Sequence, residues 1–260
     1  MKIPLFQVDA FSDHLFGGNP AAVCPLEAWL PDKTMQNIAM ENNLAETAFF
    51  VKKEDQFTIR WFTPLVEVDL CGHATLASAH VIFNHLDWNR SSISFMSRSG
   101  LLVVTRNGDL ITLNFPSDDV HTAEPPEGLL ASLNVTPLET YAGKTDFMIV
   151  LSSQREVELL EPDFSLMKKS GGRGVIVTAK GDEVDFVSRF FAPQVGVDED
   201  PVTGSAHTTL IPYWSKQLGK SDLTALQLSK RRGHIWCKHK GDRVEITGKA
   251  ITYLTGQIVL

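Results

Sequence analysis

The sequence is poor in cysteine: Cys24, Cys71 and Cys237 are the only three in 260 residues. Three scattered thiols cannot build the disulfide framework of a small secreted domain, and a cytoplasmic location is the expectation. Long apolar runs are also missing. No stretch approaches the roughly 20 residues needed to cross a bilayer. The N-terminus, Met1-Lys2-Ile3-Pro4-Leu5-Phe6-Gln7-Val8-Asp9, has no secretion-signal core and reads as a first strand, so no membrane partner is expected. Cationic stretches are scarce as well. The net charge is −7, and the one basic cluster is Lys230-Arg231-Arg232, with Lys238 and Lys240 nearby. Without a basic stripe to neutralise phosphates, no nucleic acid partner is expected, and the cluster reads as a solvated turn or strand end, with attraction of an anionic ligand as the alternative. There is no Gly-rich phosphate or dinucleotide fingerprint, and no Gly-x-Ser-x-Gly elbow surrounds Ser205. Cys71-Gly72-His73 lacks a second ligand pair at suitable spacing, so no metal site is expected.

What the sequence does contain is one module written twice. Arg60-Trp61-Phe62-Thr63-Pro64-Leu65-Val66-Glu67-Val68-Asp69 is echoed by Arg189-Phe190-Phe191-Ala192-Pro193-Gln194-Val195-Gly196-Val197-Asp198, with six of ten pairs identical and no gap. Each copy leads into a loop of small residues, Cys71-Gly72-His73-Ala74-Thr75 or Asp200-Pro201-Val202-Thr203-Gly204-Ser205, and then into an apolar helical stretch. A period of this length indicates duplicated domains rather than a solenoid. The expected halves are residues 1–117, joined by a last strand at about 250–260, and residues 129–249. The proline-rich polar stretch 116–128 reads as the linker between them.

Within the first half, residues 3–9, 21–24, 47–51 and 56–62 read as strands. A helix capped by Asp32 is expected to about 42, and a second from about 74 to 85. Asn107-Gly108 predicts a type I′ hairpin between strands 101–105 and 110–115. In the second half, 147–151, 174–178 and 184–191 read as strands, with helices over 162–169 and 205–217. A further hairpin is expected at Lys240-Gly241-Asp242. Fold class is therefore α+β.

Where the halves differ, chemistry is indicated. Extending the gapless alignment upstream pairs Glu46 with Val175, so the scaffold itself does not need a carboxylate there. Leu44, Ala48 and Phe50 surround Glu46 in sequence, and desolvation by such neighbours raises a carboxyl pKa toward a working acid/base. The alternative is an exposed glutamate at a strand start. The two glycine-containing loops open helices, whose free N–H groups and dipole favour an anion, and Gly72 and Gly204 allow close approach. A carboxylate or enolate is the ligand expected there, with His73, Asp200 and Ser205 placed to hydrogen-bond it or relay a proton. The bland alternative for each loop is a tight turn with a capped helix.

These motifs together resemble the PhzF-like isomerases of phenazine biosynthesis, relatives of diaminopimelate epimerase. The resemblance rests on Val8-Asp9-Ala10-Phe11, Gly18-Asn19-Pro20-Ala21-Ala22-Val23, Asn43-Leu44-Ala45-Glu46-Thr47-Ala48-Phe49, Cys71-Gly72-His73-Ala74-Thr75 and Asp200-Pro201-Val202-Thr203-Gly204-Ser205-Ala206. It implies a diaminopimelate epimerase-like fold: two pseudo-symmetric halves, each a curved sheet or barrel around a central helix, with the site in the cleft between them. It also implies a cofactor-free homodimeric enzyme acting on a small anionic metabolite. By motif, Glu46 matches the catalytic acid/base, while His73, Asp200 and Ser205 match substrate-binding and proton-handling residues. Asn19, Gly72 and Gly204 line the site. The epimerase relatives use one cysteine from each half. Here Cys71 stands at the first position, and Pro201 or its neighbour replaces the second thiol. That favours an isomerase over a racemase or epimerase; a metabolite-binding or interaction protein on the same fold is the remaining alternative.

Overall fold

The computed structural model describes residues 1–260, which divide into two compact units. Unit 1 comprises Met1–Phe115 with Ile246–Leu260, and unit 2 comprises Pro116–Glu245.

Unit 1 begins with β1 (Lys2–Ala10), β2 (Asn19–Leu26), α1 (Asp32–Asn42), β3 (Glu46–Lys53), β4 (Gln56–Phe62) and β5 (Glu67–Val68). It continues with α2 (Gly72–His85), β6 (Ser92–Ser97), β7 (Gly100–Asn107) and β8 (Leu110–Pro116). The run Thr47-Ala48-Phe49-Phe50 in β3 is buried on both strand faces. Phe49 packs into a cluster with Met35 and Ile38 of α1, while the opposite face, bearing Glu46 and Ala48, is the one left for α2. From Gly72 through Ala79 every residue of α2 is buried, as expected of a helix with no polar face. Strands β1, β2 and β3 pack around it. Each of Leu76, Val81 and Ile82 is fully withdrawn from water, which stabilises the unit by about 1.5–3 kcal/mol per side chain.

Unit 2 contains β9 (His121–Thr122), α3 (Leu129–Leu133), β10 (Glu139–Ala142), β11 (Asp146–Val150), α4 (Gln154–Glu158) and α5 (Phe164–Ser170). These are followed by β12 (Gly174–Lys180), β13 (Phe186–Ala192), β14 (Val197–Asp200) and α6 (Gly204–Leu218). The last strands are β15 (Asp222–Gln227), β16 (Gly233–Lys240) and β17 (Arg243–Gly248), which carries the chain back into unit 1. There β18 (Ala250–Val259) pairs antiparallel along the whole of β1 and packs on α2.

The duplication is visible in the pairing pattern. In unit 1 the successive pairs β1–β2, β2–β3, β3–β4, β4–β6 and β6–β7 run antiparallel, parallel, antiparallel, parallel and antiparallel. In unit 2 the pairs β10–β11, β11–β12, β12–β13, β13–β15 and β15–β16 repeat that order.

Several local expectations are corrected. The N-cap of α1 is Pro31, with no side-chain cap; Asp32 lies in the first turn and takes a hydrogen bond from Arg60 Nη1 at 2.8 Å. Asn107 pairs with Leu110, so the β7–β8 turn is Gly108-Asp109, and only Gly108 has positive φ. That is the signature of a type II′ turn, with glycine first, rather than type I′. The stretch 116–128 is not a loose tether. Ser117 N donates to Asp242 O, Asp118 N donates to Thr208 O, and β9 pairs with β10. No helix is long and apolar enough to cross a membrane.

Candidate active site

In unit 1, three chain segments bring Asn19, Glu46, Cys71 and His73 together. Asn19 opens β2 and Glu46 opens β3. The two strands are parallel, with Ala21 opposite Glu46, so both side chains lie at the same end of the sheet. Gly18 makes this placement possible: its φ is +61°, and a Cβ there would come within 2.1 Å of the Ala10 carbonyl oxygen. Cys71 is the last extended residue before α2, which begins at Gly72-His73.

The His73 imidazole is 3% exposed and is the hub of the group. Its Nε2 lies 3.2 Å from Glu46 Oε2, its Nδ1 lies 3.1 Å from Asn19 Nδ2, and Cys71 Sγ approaches Nδ1 at 3.6 Å. The contact with Glu46 has ion-pair distance but lies off the line of a hydrogen bond. Both Nε2 and Oε2 are buried with no other partner, so each keeps its hydrogen-bonding capacity for a bound molecule. An apolar cage around Glu46 was expected. Ala48 shares its strand face, but the carboxylate itself meets an imidazole.

Burial disfavours a charged His73, yet the Cys71 and Glu46 groups beside it outweigh burial and hold its pKa well above the ordinary histidine value. Burial pushes the Cys71 thiol up to about 11; the Glu46 charge adds to that rise and His73 opposes it. Near neutral pH the group is thus an intact thiol beside a protonated His73 ring that faces Glu46. Donor atoms of Glu46, Cys71 and His73 fall within 4.8 Å of one another. However, the thiol approaches Nδ1 and the carboxylate approaches Nε2, on opposite edges of the ring.

In unit 2, Asp200 ends β14 and Gly204-Ser205 opens α6. Thr203 links them, donating through Oγ1 to Asp200 Oδ2 at 2.6 Å. Gln227 of β15 holds this loop by donating to Asp200 O and Thr203 Oγ1 while accepting from Thr203 N. Ser205 Oγ accepts from Arg173 Nη2 at 3.3 Å, and Arg173 is itself forked onto the buried Asp146 carboxylate. Thr203, Gln227, Arg173 and Asp146 were not singled out from sequence. Arg173 and Thr203 each flank a position that the duplication makes special, whereas Gln227 carries no sequence signal. His207 Nδ1 faces the Thr203 carbonyl at 2.8 Å from inside the helix, so it does not serve Ser205 as a base.

The strand registers also correct the gapless alignment of the halves. Phe62 pairs with Thr47, and its repeat Phe191 pairs with Val175, so the counterpart of Glu46 is Gly174, not Val175. Downstream, Phe62 pairs with Glu67 and Phe191 with Glu199, a connection three residues longer that contains the 3₁₀ turn Pro193–Val195. Asp200 therefore repeats Val68. Thr203, not Pro201, repeats Cys71, and Ser205 repeats His73.

Comparison with known proteins places these observations. Residues 8–256 match the family model described as phenazine biosynthesis-like protein, PhzC-PhzF. An uncharacterized isomerase of Pseudomonas aeruginosa is 50% identical over 261 residues, covering 100% of both chains. A PhzF-family crystal structure from Enterococcus faecalis superposes with a TM-score of 0.97 at 47% identity, again covering 100% of each chain. A hydroxyproline epimerase from Agrobacterium vitis, solved with trans-4-hydroxy-L-proline, gives a TM-score of 0.66 over 99% of this chain and 92% of its own. At 11% identity that likeness concerns the fold, which is the epimerase-like α+β fold expected from the sequence.

Proposed function

We propose that this chain, which belongs to the phenazine biosynthesis-like PhzC-PhzF family, is an isomerase whose acid/base is Glu46. The carboxylate removes an acidic C–H proton from a small carboxylate-bearing substrate. The electron pair left behind delocalises into the substrate's adjoining π system. Glu46, now a carboxylic acid, returns the proton to a different carbon, so a double bond moves and no electrons are gained or lost. The observation that carries this reading is the Glu46–His73 pair. Two buried polar atoms 3.2 Å apart, both without any other partner, are held where a third molecule would complete them. His73 supports the charge on Glu46 while the proton is away and can assist the transfer. N–H groups at the first turn of α2, from Gly72 onward, suit an oxyanion. Asp200, Gly204 and Ser205 are assigned to holding the substrate.

The duplication favours one base over two. Thr203 stands where a second thiol would, with its hydroxyl given to Asp200, and Gly174 stands where a second glutamate would. A proton returned by the group that took it fits movement between carbons better than inversion by opposed thiols.

The test is incubation with a panel of small carboxylates in deuterated water, followed by NMR. Solvent deuterium appearing at a new carbon together with a shifted double bond supports the reading. Label confined to an existing stereocentre would show a racemase instead, and full turnover by Glu46→Gln would remove Glu46 from the mechanism.

A further inference from the structure

Asn19 was expected to line the site, but its side chain meets His73 across 54 residues of sequence. The geometry points to Asn19 as a positioning residue that acts through His73: its carboxamide, seated against Nδ1, keeps an imidazole proton on Nε2, where it faces Glu46.

A neutral imidazole carries one proton on either nitrogen. On the Nε2 side lies a carboxylate oxygen, which offers only lone pairs, so the stable arrangement has Nε2 protonated. Nδ1 then bears a lone pair and needs a donor, and Asn19 Nδ2 supplies one at 3.1 Å. The other neighbour of Nδ1 is the Cys71 sulfur at 3.6 Å, and a protonated thiol is a weak donor that supports the same state. When the ring takes a second proton, Nδ1 becomes a donor. A half-turn of the carboxamide about its last bond then presents Oδ1 in place of Nδ2. Through both states the proton stays on Nε2 and faces Glu46. An aliphatic side chain cannot do this, and a carboxylate could serve only the charged ring.

The surroundings leave this task to Asn19. The titratable groups facing His73 are Glu46 on β3 and Cys71 at the start of its own helix. On β1, the Asp9 carboxylate accepts from the Phe16 amide. On β18, Thr252 serves His80 and His85, farther along α2. Asn19 is itself wholly buried and fixed by the β1–β2 register, opposite Ala10.

The inference draws its relevance from the acid/base reading of Glu46 and His73, but its readout is His73 alone. The ring nitrogens of the full-length ¹⁵N-labelled chain are followed by NMR from about pH 5 to 10, with His73 assigned by comparison with His73→Gln. The wild-type neutral form is expected to be protonated on Nε2. In Asn19→Asp the new carboxylate accepts from Nδ1, and the charged ring should persist at least one pH unit higher, a tenfold gain in proton affinity. In Asn19→Leu the Nδ1-protonated tautomer should become populated. Asn19→Ser, smaller than asparagine, provides the same test if leucine disrupts packing. An identical tautomer and midpoint in the wild type and the folded variants would overturn the inference. Failure of the isomerase reading looks different: turnover would ignore Glu46→Gln while His73 kept its Asn19-dependent tautomer.

Discussion

Thr203 holds the place in unit 2 that Cys71 holds in unit 1: each is the last extended residue before a helix that opens on glycine. The thiol has no thiol counterpart, so it is not half of a two-cysteine pair. Cys71→Ser is expected to keep turnover within about tenfold of wild type, whereas Glu46→Gln should lose the 10²–10⁴-fold that a positioned acid/base supplies. Steady-state rates for the two variants decide this. Because burial pushes the Cys71 thiol up to about 11, its alkylation by iodoacetamide near pH 8 should be about a hundredfold slower than that of an unshifted thiol.

Gly174 sits where unit 1 carries Glu46, and its space is already taken. A Cβ there would fall 2.3 Å from Phe190 Cζ and 2.9 Å from Asp146 Oδ1. Gly174→Ala should therefore destabilise the protein by about 1–3 kcal/mol, read from denaturant midpoints. Shrinking the ring with Phe190→Leu should recover part of that loss. If Gly174→Ala leaves the midpoint unchanged, the proposed steric exclusion of a second carboxylate is wrong.

The arginine clamps of the two units match in form but not in surroundings. Arg60 forks onto Glu67 and reaches the exposed Asp32, whereas Arg189 forks onto Glu199 and spends Nη1 on the buried carbonyls of Val157 and Leu160. Removing Arg189 strands a shielded carboxylate and two carbonyls. Arg189→Met should cost about 3–5 kcal/mol, and Arg60→Met clearly less. Urea titration of both variants tests the order.

Two buried histidines give the pH dependence opposite signs. Burial pushes His207 down to about 4, against the opposing pull of its bond to Thr203 O. Between pH 6.5 and 4 the unfolded chain binds a proton that the folded chain refuses, so stability falls as pH drops through that window, by up to about 3 kcal/mol. His73 is raised. Its contribution is complete below the ordinary histidine pKa and is lost as pH climbs through the folded value. His207→Phe should flatten the acid limb of a stability–pH curve, and His73→Gln the limb above about pH 6.5. If neither slope changes, other groups govern the curve.

Much of this was legible in the sequence because duplication leaves two copies to compare. The motifs around Phe62 and Phe191 led to both helix-opening glycines, and they contain Arg60 and Arg189, whose ion pairs only the structure revealed. The alignment slipped where the copies differ in length. One extra residue in the β12–β13 connection turned Gly174 into Val175, and three after Phe191 hid Thr203 behind Pro201. A gapless comparison cannot register a loop whose length is set by a 3₁₀ turn. The Asn19–His73 contact and the grip of Gln227 on Thr203 were invisible for another reason. They depend on parallel strand pairing and a return strand, which no local period encodes.

β1 leaves the ribosome well before β18, yet they share nine register pairs. At about 5–20 residues per second, the edge of β1 waits for its partner for tens of seconds. Pro116–Glu245, one continuous stretch, is complete before then. During translation the older half of the protein is thus the one left open, with a bare strand edge inviting mispairing.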